Sequence, residues 1–334
     1  MPLKMAFAGF RHGHIRSLYE LAGRSAGVEV VAAAEDDVPT RQALAGKVRF
    51  THEACERMLA EVQCDAVAIG DYYARRGGLA IAALERGRHV ISDKPLCISL
   101  GELDQIETLA RTRGLKVGCM LTMRDSATTL GLRALVQEGA LGPLHAISFG
   151  GQHPLMLGSR PGWYFEPGKH GGTLNDIGIH AFDALPWLTG LEVRTINAAR
   201  SWNAFAPQSP HFHDGGQVML TMDGGCGVLG DVSYFSPDRA GYSLPLYWRL
   251  TLWGREGVAE TSATASAISL ALARDEKLRA LPLPPGREGG YLQDFLADVE
   301  GRPAELDTRA VLKAARLALR IQQAADQGLR EVRL

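Results

Sequence analysis

Over its first 121 residues this chain alternates short apolar runs with helix-length amphipathic segments, and few folds accept that rhythm. Residues 4–8, 28–34 (VEVVAAA), 65–70 (DAVAIG), 89–95 (HVISDKP) and 115–121 (LKVGCML) read as buried strands. Helical patterns lie between them. Residues 14–22 place Ile15, Leu18 and Ala22 on one face, residues 77–87 (GGLAIAALERG) end in a glycine suited to a C-terminal cap, and Ser99 with Glu102 forms a capping signature before LDQIETLART. Neighbouring parallel strands need a crossover, and helices of this length supply it. The segment therefore predicts βαβ units on a parallel sheet.

After residue 123 the rhythm changes. One helix, TTLGLRALVQEG, is followed by long strand patterns without helices between them: LHAISFGGQH, QVMLTMDGGCGVLGDVSYF, LYWRLTLWG and AISLALAR. Val218, Leu220 and Met222 alternate with polar or small residues, as an antiparallel strand with one buried face requires, and Asp223-Gly224-Gly225 marks a hairpin. Residues 281–290 (LPLPPGREGG) read as a loop and residues 308–327 as a long closing helix. The expected architecture is α/β. It has an N-terminal Rossmann dinucleotide-binding domain over residues 1–122 and a C-terminal α+β domain over residues 123–334 with a large, open, mostly antiparallel sheet.

Composition narrows the function classes. A net charge of −1 over 334 residues gives no electrostatic case for nucleic acid or an anionic membrane. No apolar run approaches the roughly 20 residues that span a bilayer. Cys55, Cys64, Cys97, Cys119 and Cys226 form no CxxC pair and sit in apolar surroundings, which reads as reduced thiols in a reducing compartment. The N-terminus runs straight into a strand without a signal-peptide pattern, so a cytoplasmic location is expected.

The first turn, AFAGFRHGHI, departs from the dinucleotide fingerprint G-x-G-x-x-G. Gly9 fits the first glycine's role, while Arg11 and His14 hold the second and third places, and Gly13 supplies flexibility one place earlier. The Arg11 guanidinium can substitute a charge-assisted contact to a pyrophosphate for close backbone approach. A plain strand-turn-helix without a ligand remains the competing reading. Glu35 strengthens the cofactor reading, because an acid at the end of the second strand accepts ribose hydroxyls. Asp36 and Asp37 follow it, and three carboxylates disfavour a 2′-phosphate. NAD is preferred, with Arg11 and Arg41 keeping NADP open.

Two further stretches carry chemistry. In SDKPLC, Lys94 falls at the C-terminal end of a parallel strand, where open α/β sheets bind ligands. In WYFEPGKHGGTLNDIGIHAFDALPWLTG, Asp176 and His180 are four apart and share a helix face. Such a pair with a lysine can do acid–base work on an alcohol or ketone, or can simply crosslink a core. No third ligand accompanies the pair, and HFHD at residues 211–214 reads as a loop-to-strand transition, so no metal site is expected.

In this order the motifs resemble the Gfo/Idh/MocA family of glucose–fructose oxidoreductase and inositol dehydrogenase relatives, over essentially the whole chain. AGFRHGHI is similar to the family's first turn, and CDAVAIGDYY to its DaVxiatP strand. ALERGRHVISDKPL is similar to AlxaGkhVlxEKPl, GALGPL to GxiGxv, and WYFEPGKHGGTLNDIGIHAFD to W…GGxlxDxgxHxxD. The resemblance implies an NAD- or NADP-dependent enzyme acting on a hydroxyl or keto group of a sugar, inositol or related cyclic polyol. It also implies a homodimer or homotetramer built through the C-terminal sheet. Lys94, Asp176 and His180 match the family's catalytic positions. Gly9, Phe10, Arg11, His12, Gly13, His14, Ile15, Glu35, Asp71, Tyr72, Asp93 and Lys94 fall at cofactor positions, and Trp163, Tyr164 and His170, with Asp176 and His180, at the substrate site. Departures are Asp93 for the usual glutamate, Arg11 for the second glycine and GDYY for the threonine-proline segment. Some relatives retain NAD and use transient sugar oxidation to cleave glycosides, and a few are cofactor-sensing regulators. Retention of Lys94, Asp176 and His180 together favours catalysis.

Overall fold

A computed structural model describes residues 1–334. The chain begins β1 (Leu3–Ala8), α1 (Ile15–Arg24), β2 (Val28–Ala34), α2 (Val38–Ala43), α3 (Cys55–Glu61), β3 (Ala66–Ile69), α4 (Tyr73–Glu85), β4 (His89–Ser92), α5 (Leu100–Arg113) and β5 (Val117–Cys119). It continues α6 (Ala127–Gln137), β6 (Leu144–Pro154), α7 (Ile179–Thr189), β7 (Val193–Trp202), β8 (Gly215–Met222), β9 (Gly227–Ser236), β10 (Arg249–Gly254), β11 (Gly257–Thr261), β12 (Ala267–Leu272), β13 (Arg279–Pro282), α8 (Gly290–Val299), α9 (Thr308–Gln327) and β14 (Arg330–Arg333). Two compact units result. One comprises residues 1–121, 161–171 and 289–316, the other residues 122–160, 172–288 and 317–334.

The first unit is built on a five-stranded parallel sheet in the order β2-β1-β3-β4-β5. Its strands are apolar without alternation because helices cover both faces, and Met5, Phe7, Val67, Ile69, Val90 and Ile91 are fully buried. From β1 the chain moves first to β2 and then to β3 on the opposite side. The carboxyl ends of β1 and β3 therefore form a topological switch point, where sheets of this type bind ligands. Ser99 caps α5 as expected, its hydroxyl oxygen accepting from the Glu102 N–H at 3.2 Å.

The turn after β1 explains its missing glycines. Gly9 has φ +80, and a Cβ there would lie 2.7 Å from the Asp71 Cβ. The third glycine of the fingerprint lets helix approach strand. Here that approach is made by Gly70, after β3, where an added Cβ would lie 2.3 Å from the Ile15 Cβ. The side chain is removed from the opposite partner, so position 14 is free to carry histidine.

The second unit carries a nine-stranded sheet in the order β13-β12-β11-β10-β6-β9-β8-β7-β14, antiparallel except for the β6–β9 pair. The hairpin forms at Asp223–Gly225 as expected, with Gly224 at φ 67. Val218, Leu220 and Met222 are buried, while the intervening Met219 is exposed. One expectation is corrected. Residues 281–290 are not all loop, because Arg279–Pro282 pairs as edge strand β13 and Gly290 begins α8. An edge strand tolerates the terminal proline. No helix is long and apolar enough to cross a membrane, and all five cysteines are free.

Candidate active site

In the first unit Lys94 follows β4 and is buried, and the Lys94–Pro95 peptide is cis. Its backbone is held from below by Arg76 of α4, a fully buried guanidinium. Arg76 donates to the carbonyl of Lys94, to that of Pro95 at 3.2 Å and to that of Asp71 at 2.7 Å. It also pairs with Asp93 Oδ2 at 3.1 Å. One side chain thus ties the end of β3 to the lysine loop. Nothing in the sequence pattern marks Arg76, because three of its partners are backbone carbonyls and the fourth, Asp93, is 17 residues away.

Asp93 receives a second donor. His12 Nδ1 bonds Asp93 Oδ2, and His14 Nδ1 lies 3.5 Å from Oδ1. Burial alone would raise the Asp93 carboxyl, but His12, Arg76 and His14 outweigh it and hold the carboxyl well below the usual range. For His12 burial dominates over the pull of Asp93 and pushes the ring down to about 3. The ring is therefore neutral, with its proton on Nδ1 assigned from the bond to a charged carboxylate. Its Nε2 then accepts from the Tyr73 hydroxyl at 3.2 Å, and Tyr73 and Tyr164 share a hydrogen bond at 2.8 Å. The ligand atoms of His12, His14 and Asp93 lie within 4.8 Å of one another, a metal-like spacing. The Arg76 charge on Asp93 and the direct His12–Asp93 bond make it a hydrogen-bonded cluster instead.

Arg11 stands beside two acids and a tyrosine ring. Its Nε lies 3.4 Å from Glu35 and 3.5 Å from Asp71, and its guanidinium stacks over Tyr72 at 5.2 Å. Glu35 Oε2 accepts the Phe10 N–H at 2.5 Å and Oε1 the Asp37 N–H at 2.7 Å. Burial raises the Glu35 carboxyl, and these two bonds partly offset it. Burial also raises Asp71, against Arg11 and Arg75. The His12 N–H is bound by the Gly70 carbonyl at 3.0 Å. The positive-φ turn, the helix N-terminus at Ile15 and the buried acid at the end of β2 fit a dinucleotide. With the Phe10 and His12 amides already bonded, phosphate contact falls to the remainder of the turn.

Trp163, Tyr164 and His170 are buried in the same unit. Trp163 and Tyr164 stack at 4.1 Å, and the Trp163 indole N–H reaches the Arg11 carbonyl at 3.4 Å. The His170 ring lies 5.3 Å from both Tyr73 and Tyr164.

In the second unit Asp176 and His180 are both buried. They do not lie on one regular α-helix, as the spacing predicts. Leu174–Gly178 is π-helical and leads into α7, a widening often found at functional sites. Gln322 of α9 holds the start of this segment by accepting from the Leu174 and Asn175 N–H groups at 3.0 and 3.2 Å. Gly172, at φ +95, permits that approach, since a Cβ there would lie 2.1 Å from the Gln322 side chain. Asp176 Oδ2 accepts the Tyr234 hydroxyl, and the His180 ring meets Trp248 edge-on at 5.8 Å. Tyr234 and Trp248 come from the sheet region, far away in sequence, and were not legible as partners. The neighbouring acid Asp183 is bound at both oxygens by Arg124, at 2.6 and 2.8 Å, and serves the core.

Comparison with known proteins agrees with this layout. Residues 3–120 match the model of the oxidoreductase family with an NAD-binding Rossmann fold, and residues 129–260 that of the GFO/IDH/MocA C-terminal domain. The chain is 25% identical over 248 residues to the rhizopine catabolism protein MocA of Rhizobium meliloti, covering 74% of this chain and 73% of that protein. It is 29% identical over 177 residues to D-glucoside 3-dehydrogenase of Escherichia coli, covering 51% and 50%. Several other curated relatives are likewise matched over about half of their length or less. An inositol dehydrogenase homolog from Azotobacter vinelandii, solved with NAD+, superposes with a TM-score of 0.79 at 17% identity, covering 100% of this chain and 98% of that one.

Proposed function

This chain belongs to the GFO/IDH/MocA oxidoreductase family, with its NAD-binding Rossmann domain, and from that premise we propose that it is an NAD-dependent dehydrogenase or reductase acting on a CH–OH group of a sugar, inositol or related cyclic polyol. The observation that carries the reading is Lys94, immobilised by Arg76 at the carboxyl end of β4 in the same sheet as the Gly9 turn. The turn from Gly9 to Ile15, with Glu35, Asp71, Tyr72 and Asp93, would hold the dinucleotide. Bound NAD supplies the hydride acceptor. In the oxidative direction His180 takes the hydroxyl proton, Lys94 donates a hydrogen bond to the same oxygen, and Asp176 orients them. Lys94 and His180 can exchange these roles. Trp163, Tyr164 and His170 offer aromatic faces to sugar C–H groups and an imidazole to a hydroxyl.

The cofactor-retaining glycosidase reading drew on Arg11 clasping the pyrophosphate. Arg11 lies between Glu35 and Asp71, and cofactor co-purifying with the protein would favour that reading over a dehydrogenase. Assembly through the C-terminal sheet is part of the proposal. It is supported by the exposed cross-strand pair Met219 and Leu229 and by exposed Trp253. Light scattering on the purified protein tests it.

The enzymatic reading is tested by thermal shift with NAD+ and NADP+, then by NADH formation with methyl glucosides and inositols. NAD+ should stabilise the protein, and Lys94→Ala should abolish turnover while keeping NAD+ affinity. A protein stabilised by neither cofactor, or a Lys94→Ala variant with normal turnover, would overturn the reading.

A further inference from the structure

We propose that Tyr164, Tyr73, His12 and Asp93 form a proton path that ends at His14 on the surface. The proposal deepens the hydroxyl oxidation argued above, because that reaction must dispose of one proton per turnover. It rests on that reading for the source of the proton, and on geometry for the route.

The links are continuous. Tyr164 and Tyr73 hydroxyls lie 2.8 Å apart, Tyr73 and His12 Nε2 3.2 Å, and His12 Nδ1 bonds Asp93 Oδ2. Asp93 Oδ1 is buried without a hydrogen-bond partner, and His14 Nδ1 lies 3.5 Å from it. The His14 side chain is 54% exposed, whereas Tyr164, Tyr73, His12 and Asp93 are all buried. The chain thus runs from the buried interior to the surface through groups that can each both give and take a proton.

The bookkeeping balances. A proton arriving on the Tyr164 oxygen releases that residue's own proton to Tyr73. Tyr73 passes its proton to His12 Nε2, and His12 gives its Nδ1 proton to Asp93 Oδ2. The Asp93 carboxyl then turns about its Cβ–Cγ bond, bringing the protonated oxygen to His14 Nδ1, and His14 takes that proton and releases its Nε2 proton to water. Each group ends with the proton count it began with, once the hydroxyls, the carboxyl and both imidazole rings reset, and no oxidant or reductant is consumed.

Surrounding charges suit this task. Arg76 lies 4.6 Å and Lys94 6.0 Å from the Tyr73 ring centroid, and both favour transient negative charge on its oxygen. The groups facing His12 are Asp93, Arg76 and His14, with the Tyr73, Trp163 and Tyr164 rings at 5.3, 6.2 and 6.2 Å. A neutral His12 is essential, because an imidazolium has no lone pair to accept from Tyr73. Burial secures this by depressing the ring's basicity. Arg76 pulls the other way at Asp93, making its protonation brief.

Tyr73→Phe tests the path, since it removes the central hydroxyl and keeps the ring packed. With NAD+ and methyl glucoside or myo-inositol as probe, kcat should fall roughly tenfold, while NAD+ affinity stays within about twofold. The solvent deuterium effect on kcat should fall toward unity or lose its multi-proton inventory, a change that mere loss of packing would not produce. Unchanged kcat and isotope effect in Tyr73→Phe would overturn the proposal. Histidine nitrogen NMR of the wild-type protein reads the route without turnover. His12 should be neutral at pH 7 with the proton on Nδ1, and its Nε2 resonance should move in Tyr73→Phe. A cationic His12, an Nε2–H tautomer, or an unmoved resonance would overturn the path whatever the substrate. Absence of any sugar or polyol turnover alongside the expected NMR result would count against the enzymatic reading alone.

Discussion

His12 and Asp93, 81 residues apart in sequence, meet in a buried hydrogen bond that ties the turn after β1 to the loop carrying Lys94. The same carboxylate is held by Arg76. Three segments that a dinucleotide-binding sheet would otherwise leave independent are thereby fixed to one charged group.

Burying the His12 ring has a cost at low pH, which the bond to Asp93 only partly offsets. His12 has a folded pKa of about 3, below the roughly 6.5 of an unfolded histidine. Below pH 6.5 the unfolded chain takes up a proton that the folded protein refuses, so stability falls as pH drops from 6.5 toward 3. At pH 5 the loss from this group is about 2 kcal/mol. His12→Gln keeps a polar side chain without titrating there. In urea unfolding its stability should fall less between pH 7.5 and pH 5 than that of the wild type, by about that amount. Parallel pH profiles would contradict the assignment.

Arg11 compensates two buried acids, Glu35 and Asp71. Burial raises both carboxyls in the folded state, so each costs stability once pH exceeds its unfolded value, and the cost is relieved as pH falls. Arg11→Met removes one compensating charge and leaves Arg75 on Asp71 alone. We expect a loss of about 3 kcal/mol at pH 8 and a clearly smaller one at pH 5, read as the melting-temperature difference from wild type. An equal loss at both pH values would show that Arg11 acts through packing.

The parallel sheet and the hairpin were legible because their signals are local: apolar runs between glycines, alternation about Asp223-Gly224-Gly225, and the Ser99–Glu102 cap. Lys94, Asp176 and His180 stood out as residue types at spaced positions. The groups that hold them did not. Arg76 acts on backbone carbonyls, Tyr234 reaches Asp176 from β9, and Gln322 supports the π-helical turn from α9. Each depends on tertiary proximity that no period encodes. The glycine at position 70 was equally silent, since the fingerprint places it at 14.

Gly70 and Ile15 form a close helix–strand contact, so Gly70→Ala should force the Ile15 side chain out of place. Overpacking of this kind costs about 1–3 kcal/mol. Ile15→Ala alone opens a cavity at a fully buried site and costs about 2–5 kcal/mol. In the double variant the new methyl occupies part of that space, so the combined loss should be less than the sum of the two. Additive losses in chemical denaturation would separate the two positions energetically.

Tyr234 donates to Asp176 Oδ2 inside the second unit. A donor to a carboxylate fixes its orientation and satisfies a buried oxygen. Tyr234→Phe keeps the ring beside Phe212 and His153. Its stability loss should be modest, about 1–2 kcal/mol. If Asp176 orients the acid–base groups as proposed, kcat should fall roughly tenfold. NAD+ affinity should not change. A variant that loses only stability, with kcat in place, would reduce the Tyr234–Asp176 bond to a core crosslink.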